Sequence, residues 1–280
     1  MELGVTTGAN TKADPLRADI SQQAITEQIL GLADRAGYAA ALIDGVEGTV
    51  MTWLQFARTV RMAARGLGGR GLQRGDTVGI LVRDAASHAL AVHAARAAGA
   101  AAVPIYQAAS AEDIAIQLKE CRARLLITSA ALAETAIQAA ERSVVRQVFA
   151  FGEAAGTTPF VTLLNGAKHA HPERGALTGP NGSIGATLGY IPAQIPDFSR
   201  PQGADGLTRR DVVVAGPPCG DTNAYTAQLD KALATGATIV AAPLAHITAA
   251  VRAYKGTAAI VPHGTDVPGL PAERVFTVVA

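Results

Sequence analysis

GLQRGDTVGILVRD (71–84), with AARAAGAAAVPIY (94–106) a helix length further on, is the stretch that decides the fold. A turn carrying Gly75 and Asp76 delivers an apolar run of strand length at 77–82. Asp84 then opens a helical segment over 85–98, Gly99 closes it, and a second strand-length run follows at 101–105. Strand, helix and strand in that order predict parallel pairing through a crossover helix. Upstream, TWLQFARTVRMAARGL (52–67) has Thr52 and Gln55 at capping-box spacing. Trp53, Phe56, Ala57, Val60, Ala63, Ala64 and Leu67 then recur at helical spacing, which predicts a helix running to Gly68. Downstream, AEDIAIQLKECRARLLIT (111–128) repeats the alternation: Ser110 and Ser129 are N-caps for helices at 111–121 and 130–141, and strands fall at 124–128 and 146–151. The expectation is an α/β protein whose first Rossmann-like lobe spans 21–151, preceded by a flexible tail at 1–20.

Periodicity fades from 152 to 185, where AKHAHPERGALTGPNGSIG (167–185) is rich in Gly, Pro and polar residues and reads as a connection between lobes. It resumes with strand-like runs at 186–191, 211–216, 237–243, 257–262 and 275–280. Helices at 222–235 and 246–254 separate them, the first closed by Gly236 and the second by Lys255 and Gly256. A second α/β lobe over 186–280 is expected, with largely parallel sheets and flanking helices in both lobes.

Length and composition bound the function. A chain of 280 residues supplies enough core for two modest domains. With 49% hydrophobic residues, 17% charged residues and net charge +1, it suits a compact cytoplasmic protein and offers no electrostatic footprint for nucleic acid or an anionic membrane. The Ala-rich run 85–103 is broken by His88, His93 and Arg96, so no membrane span is expected. Cys121 and Cys219 form no CxxC pair and read as two reduced thiols.

The ordered set AAALID (39–44), 52–67, Gly71-x-x-Arg74-Gly75-Asp76-x-Val78, Ala98 to Pro104 and 111–128 resembles the N-terminal region of the AMP-forming acyl-activating superfamily. That superfamily holds acyl-CoA synthetases, peptide-synthetase adenylation domains and luciferases. The resemblance implies the layered large domain of those enzymes and ATP with Mg²⁺ as co-substrate. It also implies a phosphate loop of Tyr-Thr-Ser-Gly-Thr-Thr-Gly-x-Pro-Lys-Gly pattern, whose place here is ATLGYIPAQIPDFSRPQGADGLTRRD (186–211). Tyr190 and Pro201-Gln202-Gly203 resemble its ends, but Ile191 to Pro196 replace the glycine- and hydroxyl-bearing middle, and Gln202 stands where lysine is expected. Prolines remove further amide donors. The strand near 211 equally matches a later family strand, so two alignments of this stretch stay open. The chain ends at Ala280 before any match to the later family motifs, so the expectation is a truncated homologue with a degenerate ATP loop, needing no cofactor unless adenylation survives.

Candidate site residues follow from VVVAGPPCGDTNAY (212–225), a strand, a Gly/Pro turn and a helix start with Asp221 or Thr222 as N-cap. Backbone amides at such a junction bind carboxylate or phosphate groups. Gly216, Cys219, Gly220, Asp221, Thr222 and Asn223 are therefore substrate-binding candidates, in the place where the resembled family carries Pro-Leu-x-His. Cys219 near a helix start is a candidate nucleophile, with a purely structural cysteine as the competing reading. His263, after the strand 257–262, is a pocket candidate at a strand's carboxyl end, competing with a solvent-exposed loop histidine. His88 and His93, five apart on a helix, lack metal-pair spacing; His169 and His171 read as an exposed loop pair, and no metal site is expected.

Three functions are consistent with these residues. The favoured one is a pseudoenzyme-like homologue that binds or transforms a small carboxylate or acyl compound without ordinary adenylation. The second is an inactive partner of an active synthetase or carrier protein. The third is a ligase completed by another polypeptide. A homodimer is expected where truncation leaves apolar surface uncovered.

Overall fold

The computed structural model describes residues 15–165 and 206–278. The N-terminal part runs α1 (Pro15–Gly31), α2 (Ala33–Ala36), β1 (Ala40–Asp44), β2 (Val50–Thr52), α3 (Trp53–Gly69), β3 (Thr77–Leu81), α4 (Ala85–Ala97) and β4 (Ala101–Pro104). It continues with α5 (Ala111–Glu120), β5 (Ala123–Ser129), α6 (Ala133–Glu141), β6 (Gln147–Phe151) and β7 (Thr158–Pro159). The C-terminal part runs β8 (Val212–Ala215), α7 (Thr222–Ala234), β9 (Thr238–Ala241), α8 (Ile247–Ala253), β10 (Ala258–Pro262) and β11 (Val275–Val278).

The strands form two sheets: a five-stranded one in the order β4-β3-β5-β6-β7, and a six-stranded one in the order β11-β10-β8-β9-β1-β2. All recorded pairings are parallel except β1 with β2. Strand residues alternate between faces. Val213, Ile239 and Ile260 from one sheet and Val78, Ile80 and Ile127 from the other join α1, α3, α4 and α7 in a shared central core. Val212, Val214 and Val240 point the other way, onto Ile247 and Val251 of α8; Leu81 and Leu126 pack with Ile114 and Leu118 of α5 and with α6. The described residues are thus layered as helix, sheet, helices, sheet, helices, which matches the expected α/β class.

Local chemistry explains the entry to the first sheet. The Gly75 amide donates to the Gly99 carbonyl at 2.8 Å, while Asp76 accepts from the Gln73 amide at 2.8 Å and from Arg124 at 3.1 Å. One Gly-Asp pair therefore ties together the starts of β3, β4 and β5. Helix α4 is buried on nearly every side, which its alanines allow because two flanking layers can approach closely.

Several boundaries differ from the sequence reading. Residues 15–20, assigned to a tail, begin α1, with Pro15 at the first helical position where its missing N–H costs nothing. Ile29 and Leu30 of α1 are buried in the central core. Hydrogen bonding also cuts across a boundary at 151, because β1 pairs with β9 and so carries residues 40–52 into the sheet built from 212–278. The start of the supposed connection is structured: β7 pairs with β6, and the 3₁₀ turn Phe160–Leu163 packs on α3. Short 3₁₀ turns, Ala130–Leu132 and Leu244–His246, precede α6 and α8 and delay those helices. The strand expected at 186–191 lies outside the described residues.

Thr52 caps α3 in a reciprocal capping box with Gln55. Thr52→Ala is expected to lower stability by about 1 kcal/mol, read as a urea midpoint shift with an unchanged slope. Gly66 is placed under a harder constraint, since a Cβ there would stand 2.1 Å from the Leu163 carbonyl oxygen. Gly66→Ala is expected to cost about 1–3 kcal/mol by overpacking; an unchanged midpoint would show that the 160–163 turn can move away from α3.

Candidate functional site

Strand β8 is fully buried, and its last ladder bond is continued by the Gly216 amide, which donates to the Ile260 carbonyl of β10 at 2.8 Å. Pro217 and Pro218 then carry no amide donors, and the Gln107 side chain fixes the turn by donating to the Pro218 carbonyl at 3.0 Å. Gly220 has φ of 58°, a left-handed backbone that suits glycine and lets the chain reverse into α7. The Tyr225 hydroxyl donates to the Gly216 carbonyl at 2.7 Å from inside the core. Thr222 donates to the Pro104 carbonyl at 3.0 Å, joining the first turn of α7 to the end of β4.

Asp221 is the N-cap of α7: one carboxylate oxygen accepts from the amides of Asn223 at 2.9 Å and Ala224 at 3.0 Å. Those amides are therefore engaged by the chain's own anion. What the turn can still offer an incoming acceptor lies in the Cys219–Gly220 stretch, ahead of the cap. Of the two caps that the sequence leaves open, Asp221 and Thr222, the structure has Asp221.

Cys219 is half-buried, and desolvation pushes its thiol above the ordinary value. That is opposite to the lowering a nucleophile needs, so this geometry favours the structural reading of the cysteine. Tyr225 is held as the phenol by burial, with the charges of Asp84 and Cys219 acting in the same direction. Asp84 caps α4 through Ser87 at 2.7 Å, and burial raises its carboxyl above the ordinary range against those hydrogen bonds. Asp84 and Cys219 thus each lie close enough to Tyr225 to act on its hydroxyl.

His263 is exposed and extends β10 past its last residue, its amide donating to the Val278 carbonyl at 2.9 Å. Since Ala215 pairs with Ile260, the Gly216 turn and His263 lie at the carboxyl edge of one sheet. Tyr190, Pro201, Gln202 and Gly203 lie outside the described residues, as do His169 and His171. Among the described residues no group of three or more His, Cys, Asp and Glu side chains is arranged to hold a metal. Both cysteines are free.

Beneath this edge, α4 and α7 share a buried polar layer that the sequence reading registered only as breaks in an apolar run. His88 meets Thr226 at 2.8 Å and stacks edge-on against Tyr225 at 5.3 Å. Arg96 donates to Asp230 at 2.6 Å, and His93 meets Thr26 of α1 at 3.0 Å. The other ring nitrogen of His93 stands 3.4 Å from Asp230 but is too poorly aligned to count as a hydrogen bond. Burial is the main reason both histidines titrate near 3, with the Arg96 charge adding to it.

A family model described as AMP-binding enzyme matches residues 32–174. Among curated proteins no sequence matches significantly. Solved structures with this fold include a long-chain-fatty-acid-CoA ligase from Archaeoglobus fulgidus, with TM-score 0.65 and 17% identity over 85% of this chain and 51% of that one. A benzoate CoA ligase from Burkholderia xenovorans LB400 aligns with TM-score 0.64 and 18% identity, over 90% of this chain and 54% of that one. The N-terminal domain of FACL13 from Mycobacterium tuberculosis aligns with TM-score 0.62 and 16% identity, over 88% and 68% respectively. The chain thus spans about half the length of the two ligases. No described helix is long and apolar enough to cross a membrane.

The buried histidines give stability a definite pH dependence. In the unfolded chain each takes up a proton near 6.5, while in the folded protein each stays neutral down to about 3. The unfolded state therefore gains protons first as pH falls, and each histidine removes about 1.4 kcal/mol per pH unit below 6.5. The raised carboxyls of Asp84 and Asp230 act in the opposite sense by accepting protons earlier in the folded state. Urea midpoints should therefore fall between pH 6.5 and 5, and His88→Gln should flatten that slope; a slope unaffected by the substitution would contradict the neutral, buried state of His88.

Proposed function

The chain belongs to the AMP-binding enzyme family, and from that premise we propose that it binds a small carboxylate or acyl compound at the carboxyl edge of its six-stranded sheet. The site comprises Gly216, Cys219, Gly220, Asp221, Thr222 and Asn223, with His263 on the neighbouring strand end. We further propose that this chain does not by itself catalyse pyrophosphate-releasing adenylation.

The observation that carries the reading is the pinning of the turn. Gly216, Pro218 and Thr222 are each held by a hydrogen bond to a different part of the fold, so the donors at Cys219 and Gly220 sit on a rigid support, as a binding site requires. An acyl group is the better occupant than a phosphate, because Asp221 has already taken the first-turn amides of α7 and adds a negative charge there. The sequence supports the second half of the proposal. On the alignment that places the phosphate loop at 186–211, Gln202 for lysine, and Ile191 to Pro196 in place of a Gly- and hydroxyl-rich cradle, remove the donors that neutralise phosphate charge. Loss of even one such preorganised donor costs about 3–4 kcal/mol in an active site.

Chemical-shift mapping with butyrate and benzoate is expected to move the amides of Cys219, Gly220 and His263. Cys219→Ala should weaken binding about twofold without unfolding the protein, as for a group that only lines the site. ATP–pyrophosphate exchange with the same acids should stay at background. Exchange above background would overturn the non-adenylating half, and shifts confined to other residues would overturn the site.

A second reading draws on coverage, since the matched ligases are about twice the length that this chain spans: an adenylating enzyme completed by another polypeptide. Exchange activity that appears only on co-expression with such a partner would select it.

A further inference from the structure

Along α7, a cleft of about 310 Å³ opens between α1, α4, β4 and α7, at the lower end of the size range of small-molecule sites. Ile25, Ala102 and Ala227 give it apolar walls; Gln22, Arg96, Asn223, Asp230 and Lys231 give it polar groups. We propose that this cleft binds a small monocarboxylate, its carboxylate taken by Arg96 and Lys231 and its short apolar body by Ile25, Ala102 and Ala227. The inference goes beyond the sheet-edge reading and does not rest on it.

Arg96 carries the argument. It is 5% exposed, and a guanidinium has five donors. Among the described residues it makes one hydrogen bond, to Asp230, and its Nε is buried without a partner. A buried cation so poorly satisfied is costly, yet it borders a cleft that can admit an acceptor. Asp230 holds one guanidinium nitrogen, Nη1, at 2.6 Å, and a carboxylate in the cleft would be taken through the other terminal nitrogen, Nη2.

Charge selects the class of ligand. Arg96 and Lys231 against Asp230 leave one net positive charge on the cleft wall, because His93 behind them is neutral above about pH 3. That balances a monoanion. A phosphate dianion would remain uncompensated and would face the Asp230 carboxylate. The Lys231 ammonium stands 6.0 Å from the Phe276 ring of β11, and its side chain also lines the cleft. Asn223, assigned from sequence to the turn, lines this cleft, and its amide is engaged by Asp221.

The test is chemical-shift mapping of the full chain with isobutyrate, and with isobutyramide as its neutral isostere, up to about 20 mM because so small a ligand binds weakly. Saturable shifts are expected at Asn223, Ala227 and Lys231, with the amide binding at least about tenfold more weakly. Ala227 is exposed, so Ala227→Phe fills the cleft without disturbing the ion pair and should abolish these shifts while leaving those at Cys219 and His263 intact. Arg96→Met combined with Asp230→Leu removes both charges together, leaves neither stranded, and should also abolish them. The proposal is overturned if no saturable shift appears, if acid and amide bind alike, or if Ala227→Phe leaves the shifts unchanged.

Discussion

The Arg96–Asp230 pair is the interaction on which the interior of this protein depends. It joins α4, the crossover helix of one sheet, to α7, the crossover helix of the other, at 2.6 Å and with both side chains nearly out of solvent. Removing one partner of a buried pair typically costs 3–5 kcal/mol, because the survivor is left charged and unpaired. The competition is visible in Asp230 itself: burial raises its carboxyl, and Arg96 opposes that shift through charge and a hydrogen bond. The pair does not merely add stability. It fixes how α4 and α7 stand relative to each other, and so how the two sheets are set.

From that constraint the polar layer follows. A helix buried on nearly all sides has no solvent face on which to place polar residues, so each one must find its partner in a neighbouring helix. His88 finds Thr226, His93 finds Thr26, and Arg96 finds Asp230. Two of these contacts join α7 to α4, so a shift of α7 by one residue would break both at once. The Tyr225 hydroxyl then transmits the register to Gly216, and the turn at the sheet edge inherits its position from the interior.

The sequence carried the strand–helix alternation legibly because each element has a local signature. Thr52, Asp84 and Ser110 cap the helices that follow them, Asp221 of the two open choices caps α7, Ser129 makes no side-chain cap, and eight apolar runs fall on described strands. What was not legible is long-range. Nothing local says that 40–44 pairs with β9, since a short apolar run fits either sheet equally well. The run 15–31 shows little amphipathic pattern, and its helix is recognisable only through packing on α4 and α7. His88, His93 and Arg96 looked like interruptions because their partners lie 67 to 138 residues away, and no spacing rule spans that distance.

The candidate site shows the same division. Its residues were named from a strand–turn–helix pattern, and the chain does bring Gly216 and His263 to one edge through the pairing of β8 with β10. The chemistry at that edge, however, is set by groups the pattern could not rank. Asp221 is at once the residue that starts α7 and the residue that occupies its amides. A serine cap would satisfy the same amides without the charge, whereas aspartate both ends the search for a cap and repels a second anion. Among the described residues the donors left at the turn are those of Cys219 and Gly220, while Arg96, paired with Asp230, lines the cleft that runs along α7. The capping residue therefore sets what the sheet edge can offer a ligand, while the buried pair of Arg96 and Asp230 sets what the cleft along α7 can offer.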